Sequence, residues 1–344
     1  NYGLNASWTL YNGNKRLKTI QQEKLNNQMA ELDVATSENN IQESIAQVYI
    51  QILYAAESVK VNENTLQVSI AQRDRGQELL NAGSIAKSDL AQLEAQVSTD
   101  RYQLVTAQAT LEDYKLQLKQ LLELDGENEM NIYLPALSDE NVLAPLPTKR
   151  DVYISALSLR PEIEASKLNV EASELGINIA KSSYFPTISL SAGIGTNHTS
   201  GSDFTFGEQV KNGWNNSIGL SISVPIFNNR QTKSAVQKAK LQYETSMLSL
   251  LDEQKALYKT IESLWLDANS AQQRYAAANE KLKSTQISYE LISEQFNLGM
   301  KNTVELLTEK NNLLQAQQEQ LQAKYMAILN TQLLKFYQGD QLAL

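Results

Sequence analysis

The sequence predicts a mainly α-helical chain that also carries membrane β-strands, organised as a tandem repeat of long coiled-coil helical hairpins. Three observations predict it. Proline and glycine, which end helices, are nearly absent from two long spans: between Asn14 and Asp125 the only glycines are Gly76 and Gly83, and between Leu220 and Gln338 the only one is Gly299. Apolar residues recur at seven-residue spacing inside those spans. Three short runs alternate apolar and small polar residues with period two.

The strand runs come first. Tyr2, Leu4, Ala6, Trp8 and Leu10 alternate with Gly3, Asn5, Ser7 and Thr9; Ile188, Leu190, Ala192 and Ile194 alternate with Ser189, Ser191, Gly193 and Gly195; Ile218, Leu220, Ile222, Val224 and Ile226 alternate with Gly219, Ser221 and Ser223. Runs of about nine to eleven residues are what a tilted strand needs to cross a bilayer. Trp8, Tyr11, Tyr184, Phe185, Trp214 and Phe227 cluster at the run ends, as an interfacial girdle would. Ile188, Leu190, Ile222 and Val224 are therefore expected to face lipid. Open sheet edges cannot face lipid, so these few strands must close with strands of other chains. Four strands per full chain would give eight in a dimer and twelve in a trimer.

The helical spans follow. Leu90, Val97, Leu104, Leu111 and Leu118 form one heptad seam; Ile45, Ile52, Val59 and Leu66 a second; Leu307, Leu314, Leu321 and Ile328 a third. An offset of 216 residues, from Gly3 to Gly219, also pairs Asn12 with Asn228, Leu66 with Leu282, Gly83 with Gly299 and Leu118 with Leu334, without a gap. A glycine kept inside a helical pattern in both copies implies a tight reversal, so Gly83 and Gly299 each join two antiparallel helices. If the duplication is faithful, about 57 residues of the first repeat, a helix and a strand, precede Asn1. The expected organisation is a barrel strand at 1–12, a first hairpin at 13–124, a linker at 125–159, a helix at 160–185, a membrane β-hairpin with an external loop at 186–227, a second hairpin at 228–338 and a tail at 339–344.

Composition removes other functions. The 344 residues hold 30 Lys and Arg against 39 Asp and Glu, a net charge of −9, which argues against nucleic acid or an anionic lipid surface as partner. No cysteine and a single histidine, His198, leave little for nucleophilic or metal chemistry, so no enzyme, cofactor or metal is expected. No run of eighteen apolar residues is present, so neither a transmembrane helix nor a signal peptide is expected in this sequence. Gly193-Ile-Gly195 lies inside an alternating strand and lacks the third glycine of a phosphate loop; His198 falls in the external loop as a solvated residue; the Asn5, Asn197 and Asn215 glycosylation matches carry little weight.

The strand-to-helix junctions Ser7-Trp-Thr-Leu-Tyr-Asn-Gly13 and Ser223-Val-Pro-Ile-Phe-Asn-Asn229, the tips Leu80-Asn-Ala-Gly-Ser-Ile-Ala-Lys-Ser-Asp-Leu90 and Phe296-Asn-Leu-Gly-Met-Lys-Asn-Thr-Val-Glu-Leu306, and the opening Arg160-Pro-Glu-Ile163 resemble the TolC-type outer-membrane efflux factors of Gram-negative bacteria. The resemblance covers essentially the whole chain. It implies a homotrimer with a shared twelve-stranded β-barrel in outer-membrane lipid and an α-helical barrel in the periplasm. The implied activity is a passive exit duct of a tripartite efflux or type I secretion system, opened at its periplasmic tip by an adaptor of the membrane-fusion type and an inner-membrane transporter. It further implies that Gly83 and Gly299 mark adaptor-docking turns, that Glu305 and Thr308 stand at the constriction, where only Glu305 keeps an acidic charge, and that Lys301 and Phe296 match a tip latch whose polar side is Ser88 and Asp89. The alternative, which the heptads alone would permit, is a non-pore periplasmic coiled-coil scaffold or an adaptor.

Overall fold

The computed structural model describes residues 1–124, 132–133, 135 and 142–342. Much of the linker expected at 125–159 and the last two residues of the tail therefore lie outside the described residues. The elements run β1 (Tyr2–Asn12), α1 (Lys15–Asn81), α2 (Lys87–Leu121), α3 (Lys149–Leu159), α4 (Pro161–Lys181), a 3-10 turn (Ser182–Tyr184), β2 (Thr187–Thr196), α5 (Phe206–Asn212), β3 (Asn215–Ser223), α6 (Gln231–Asn297) and α7 (Thr303–Gln338). The chain divides into two compact units: Asn1–Thr36 with Pro161–Lys255, and Ser37–Arg160 with Ala256–Leu344.

The duplication read from sequence is kept in the backbone. Helices α1 and α6 are both 67 residues long and start and stop at the same offset. Left-handed residues fall in register as well: Gly13 with Asn229, Asn14 with Arg230, Gly83 with Gly299, and Glu123 with Gly339 all have positive φ. Two such residues in succession turn the chain sharply from strand into long helix, which ordinary L-residues resist. Gly13 has a second reason to be glycine that its counterpart lacks. A Cβ there would stand 2.6 Å from the Ser182 carbonyl oxygen and 2.9 Å from Phe185 Cβ.

In the first unit the strands form one antiparallel sheet in the order β1-β2-β3. Cross-strand partners share a face. Leu4 opposes Ile194, Trp8 opposes Leu190, and on the other side of β2 Leu190 opposes Leu220 and Ile188 opposes Ile222, so the apolar residues of all three strands make one face. The opposite face is glycine, serine, threonine and asparagine, packed so closely that a Cβ on Gly193 would meet Asn5 Oδ1 at 2.7 Å and Ser217 Oγ at 2.9 Å. The alternation in β1 is interrupted by a bulge between Thr9 and Tyr11: Thr9 opposes Ser189 but Tyr11, not Leu10, opposes Ile188. The inserted Leu10 moves Tyr11 onto the apolar face, a shift that sequence periodicity alone does not register. Ile188, Leu190 and Ile222 lie on that face; Val224 follows the last residue of β3 and is exposed. The sheet continues into α4 through the 3-10 turn, and Pro161 opens α4 at a position that needs no amide proton.

In the second unit the hairpins carry the core. Ala46, Ile50 and Leu53 of α1 pack with Ala271 and Tyr275 of α6 and with Leu321, Tyr325, Ile328 and Leu333 of α7. The stretch from Val142 to Arg160 is tied onto these helices. Gln272 Nε2 donates to the carbonyls of Val142 and Ala144 at 2.9 and 2.8 Å, and Trp265 Nε1 donates to that of Pro147 at 3.0 Å. Lys149 pairs with Glu262 at 2.6 Å while standing over the Trp265 ring, and buried Arg160 pairs with Glu43 at 3.0 Å while stacked over Tyr337. Arginine suits that site because its flat guanidinium can stack and hydrogen-bond together.

Candidate functional site at the hairpin tips

The two reversals have the same construction. Gly83 donates to the Leu80 carbonyl at 2.9 Å and Ser84 to that of Leu79 at 2.8 Å; Gly299 donates to Phe296 at 2.9 Å and Met300 to Gln295 at 2.8 Å. These are Schellman closures, which satisfy the last carbonyls of α1 and α6 and place a left-handed residue just past the helix end. Both glycines sit at φ +74°, with no atom within 4 Å of a Cβ built on them. The turns are thus open to the outside, and their glycines are required by backbone geometry, not by lack of room.

The helix after each turn is then capped by its own residues. Asn302 Oδ1 accepts the Glu305 amide at 2.9 Å and Glu305 Oε2 accepts the Asn302 amide at 3.2 Å, a reciprocal capping box. The other Glu305 oxygen, Oε1, accepts from Lys301 Nζ at 2.5 Å. These contacts, the Lys301 ammonium first and the Asn302 amide second, hold the Glu305 carboxyl below its ordinary value. In the first hairpin Asp89 Oδ2 accepts the Ala86 amide at 3.0 Å. Thr308 is exposed and its hydroxyl donates back to the Val304 carbonyl at 2.8 Å.

Within the chain, then, the residues matched to a latch are not bonded to one another. Lys301 is on Glu305, Asp89 is on its own helix start, Ser88 is exposed on the first turn of α2, and Phe296 is 2% exposed in an apolar cluster with Leu79, Leu93 and Leu306. That cluster takes one residue from each of the four long helices, so the tip has a core of its own. Gly76 belongs to the same packing, since a Cβ on it would run into Leu93 Cδ1.

Sequence reasoning missed a polar cluster above this core. Lys310 of α7 is hydrogen-bonded to Ser69 of α1 and to Asp100 of α2, and Ser69 also donates to Asp100. Burial pushes the Lys310 ammonium below its ordinary value, and the Asp100 carboxylate works against that shift. A signal for it did exist. Lys310 stands in the stripe Leu306, Lys310, Leu313, and Asp100 in the stripe Leu93, Val97, Asp100, so each charge interrupts an apolar row at helical spacing.

Away from the tips, His198 contacts Gln209 Oε1 at 3.1 Å and lies edge-on to Phe206, within the loop between β2 and β3. Among the described residues no cluster of histidine, aspartate and glutamate could hold a metal ion, and no helix is long and apolar enough to cross a membrane.

Comparison with known proteins accords with this architecture. The chain is 24% identical over 294 residues to the outer membrane efflux protein BepC of Brucella suis biovar 1, covering 85% of this chain and 61% of BepC. It is 24% identical to the outer membrane protein TolC of Escherichia coli K12, covering 83% of this chain and 58% of TolC. The chain thus spans about three fifths of the length of these relatives. Its fold matches the solved structure of CusC with a TM-score of 0.84 at 20% identity, over 98% of this chain and 77% of that one. The sequence profile of the family described as "Outer membrane efflux protein" matches residues 152–339, more than half of the sequence, and the chain belongs to that family.

Proposed function

We propose that this chain assembles as a homotrimer into an exit duct in the outer membrane of a Gram-negative bacterium, conducting substrates passively and performing no catalysis. The observation that carries the reading is the sheet. Its apolar face is exposed on β1 and β3, with Leu4, Trp8, Ile218, Leu220 and Ile222 all open, and among the described residues β1 and β3 each pair only with β2. A face of that kind suits hydrocarbon, and unpaired edges in hydrocarbon cost several kcal/mol per group unless strands of neighbouring copies close them. The surface area points to assembly as well. The chain exposes 21311 Å², whereas a self-sufficient globular chain of 38.4 kDa exposes about 14,000 Å².

In this reading residues 1–12 and 186–227 are the barrel portion, with Ile188, Leu190, Ile222 and Val224 toward lipid, and 13–124 and 228–338 are periplasmic hairpins joined through the segments 125–159 and 160–185. The turns at Gly83 and Gly299 are offered to a periplasmic adaptor, which couples the duct to an inner-membrane transporter. Glu305 and Thr308 line the constriction. Each Glu305 is neutralised by its own Lys301, so the ring that three copies form carries less negative charge than three bare carboxylates.

The test is assembly and conductance of the full-length protein. It should extract only with detergent, run as a trimer in native mass spectrometry, and form discrete channels in planar bilayers. A monodisperse monomer in the absence of detergent would end the reading.

A further inference from the structure

One charged pair is buried between the two hairpins of a single copy. Ser69 and Asp100 belong to the hairpin of α1 and α2, Lys310 to that of α6 and α7, and they are 2%, 1% and 3% exposed. Gln96 Nε2 completes the cluster by donating to Asp100 Oδ1 at 2.9 Å. Other polar bonds also cross between the hairpins among the described residues, and none of the following three is a buried ion pair. Gln72 Nε2 donates to Tyr289 Oη at 2.8 Å, Ser58 Oγ to Gln318 Oε1 at 3.1 Å, and Arg75 to the Asn297 carbonyl at 3.2 Å. Lys310 lies eleven residues beyond Gly299 and Asp100 seventeen beyond Gly83, roughly 16 and 25 Å along their helices.

The physics of such a pair is not that of a rivet. Taking both ions out of water costs about what their attraction returns, so the pair contributes little to net stability. What it does is penalise every arrangement in which one charge is dry and the other is not beside it. Hairpins that part rehydrate both ions, whereas parting an apolar seam exposes hydrocarbon with nothing gained. A seam of this kind has two favourable states, dry and paired or apart and wet.

We propose that Lys310, Asp100 and Ser69 form a switch that sets the balance between closed and open hairpins in each copy. The proposal rests on the duct reading and deepens it. Because the charges are held inside one copy, each protomer carries its own bias toward opening, independent of contacts with its neighbours.

The experiment is single-channel recording of the full-length protein in planar bilayers. Lys310→Met and Asp100→Asn each leave one dry polar group without its partner in the closed state, and each should raise the open-to-closed ratio at least about tenfold. The double variant Lys310→Met, Asp100→Leu makes the seam apolar and should open less often than wild type. This opposition of sign is what a merely structural role would not produce, since loss of packing would move all three variants the same way. Should the single variants fail to assemble, the double variant decides alone: openings fewer than wild type support the switch, and openings as frequent or more frequent overturn it. Wild-type channels that conduct while all variants match them overturn the switch and leave the duct standing; a wild-type protein that forms no channel removes both.

Discussion

Replacing Phe296 with alanine asks whether the hairpin tips have a core or only a set of contacts. The ring is 2% exposed and packs on Leu79, Leu93 and Leu306, with Ile85, Tyr289 and Leu307 at its edges. Truncating a buried phenylalanine removes its transfer energy and leaves a cavity, together about 3–5 kcal/mol. A tenfold change in an equilibrium costs about 1.4 kcal/mol, so amides that exchange through local opening of the tip should speed up by about two to three and a half orders of magnitude. Hydrogen exchange with mass spectrometry on the full-length protein reads this directly, in peptides covering residues 79–93 and 296–306. Phe296→Leu keeps the site apolar and nearly full, and should cost under about 1.5 kcal/mol. The functional consequence is mechanical: a tip with a core presents its Gly83 and Gly299 turns as one body, while a tip without one presents two frayed ends. If Phe296→Ala exchanges within about threefold of wild type at both turns, the cluster does not hold the tip together, and Phe296 acts instead through a contact with another chain.

Three further outcomes are expected. Leu190→Arg, at the centre of the apolar face between Trp8 and Leu220, should, in the barrel proposed above, cost about 2–4 kcal/mol if it lies at the bilayer midplane, seen as a lower melting temperature of the detergent-solubilised protein; an unchanged melting temperature would mean that this face does not meet lipid. Gly13→Asn should cost about 1–3 kcal/mol because its Cβ would press on the Ser182 carbonyl, whereas Asn229→Gly at the matching position should stay within about 0.5 kcal/mol; equal effects in thermal unfolding would refute the steric account. The Glu305 carboxyl is held below its ordinary value of 4.5, so its contribution to the tip is fully present above that value and is lost as pH falls through the lowered one; tip amides should lose protection, measured against the intrinsic exchange rate at the same pH, on acidification in wild type but not in Glu305→Gln, and identical pH dependence of protection in both would remove the Lys301 pairing from the explanation.

What could be read from the residues and what could not divides along a physical line. Periodicity and punctuation are local, so the 67-residue helices, the paired glycine turns and the three alternating strands were all legible; the duplication made them more so, because each feature of the hairpins appeared twice. Leu10 shows where locality fails: a bulge is decided by the pairing of β1 with β2, and nothing in the order Thr9, Leu10, Tyr11 announces it. Phe296 and Lys301 differ in another way. A resemblance aligned them with a latch, and within one chain the ring, which has no hydroxyl to satisfy, is buried, while the lysine four residues before a glutamate gains a partner on its own hairpin. Lys310 and Asp100 were visible as charges in apolar rows, and a row reads most simply as a seam with a solvated exception. Only the meeting of three helices turns two exceptions into one ion pair, and since neither charge is favourable there alone, each residue makes physical sense only in the presence of the other.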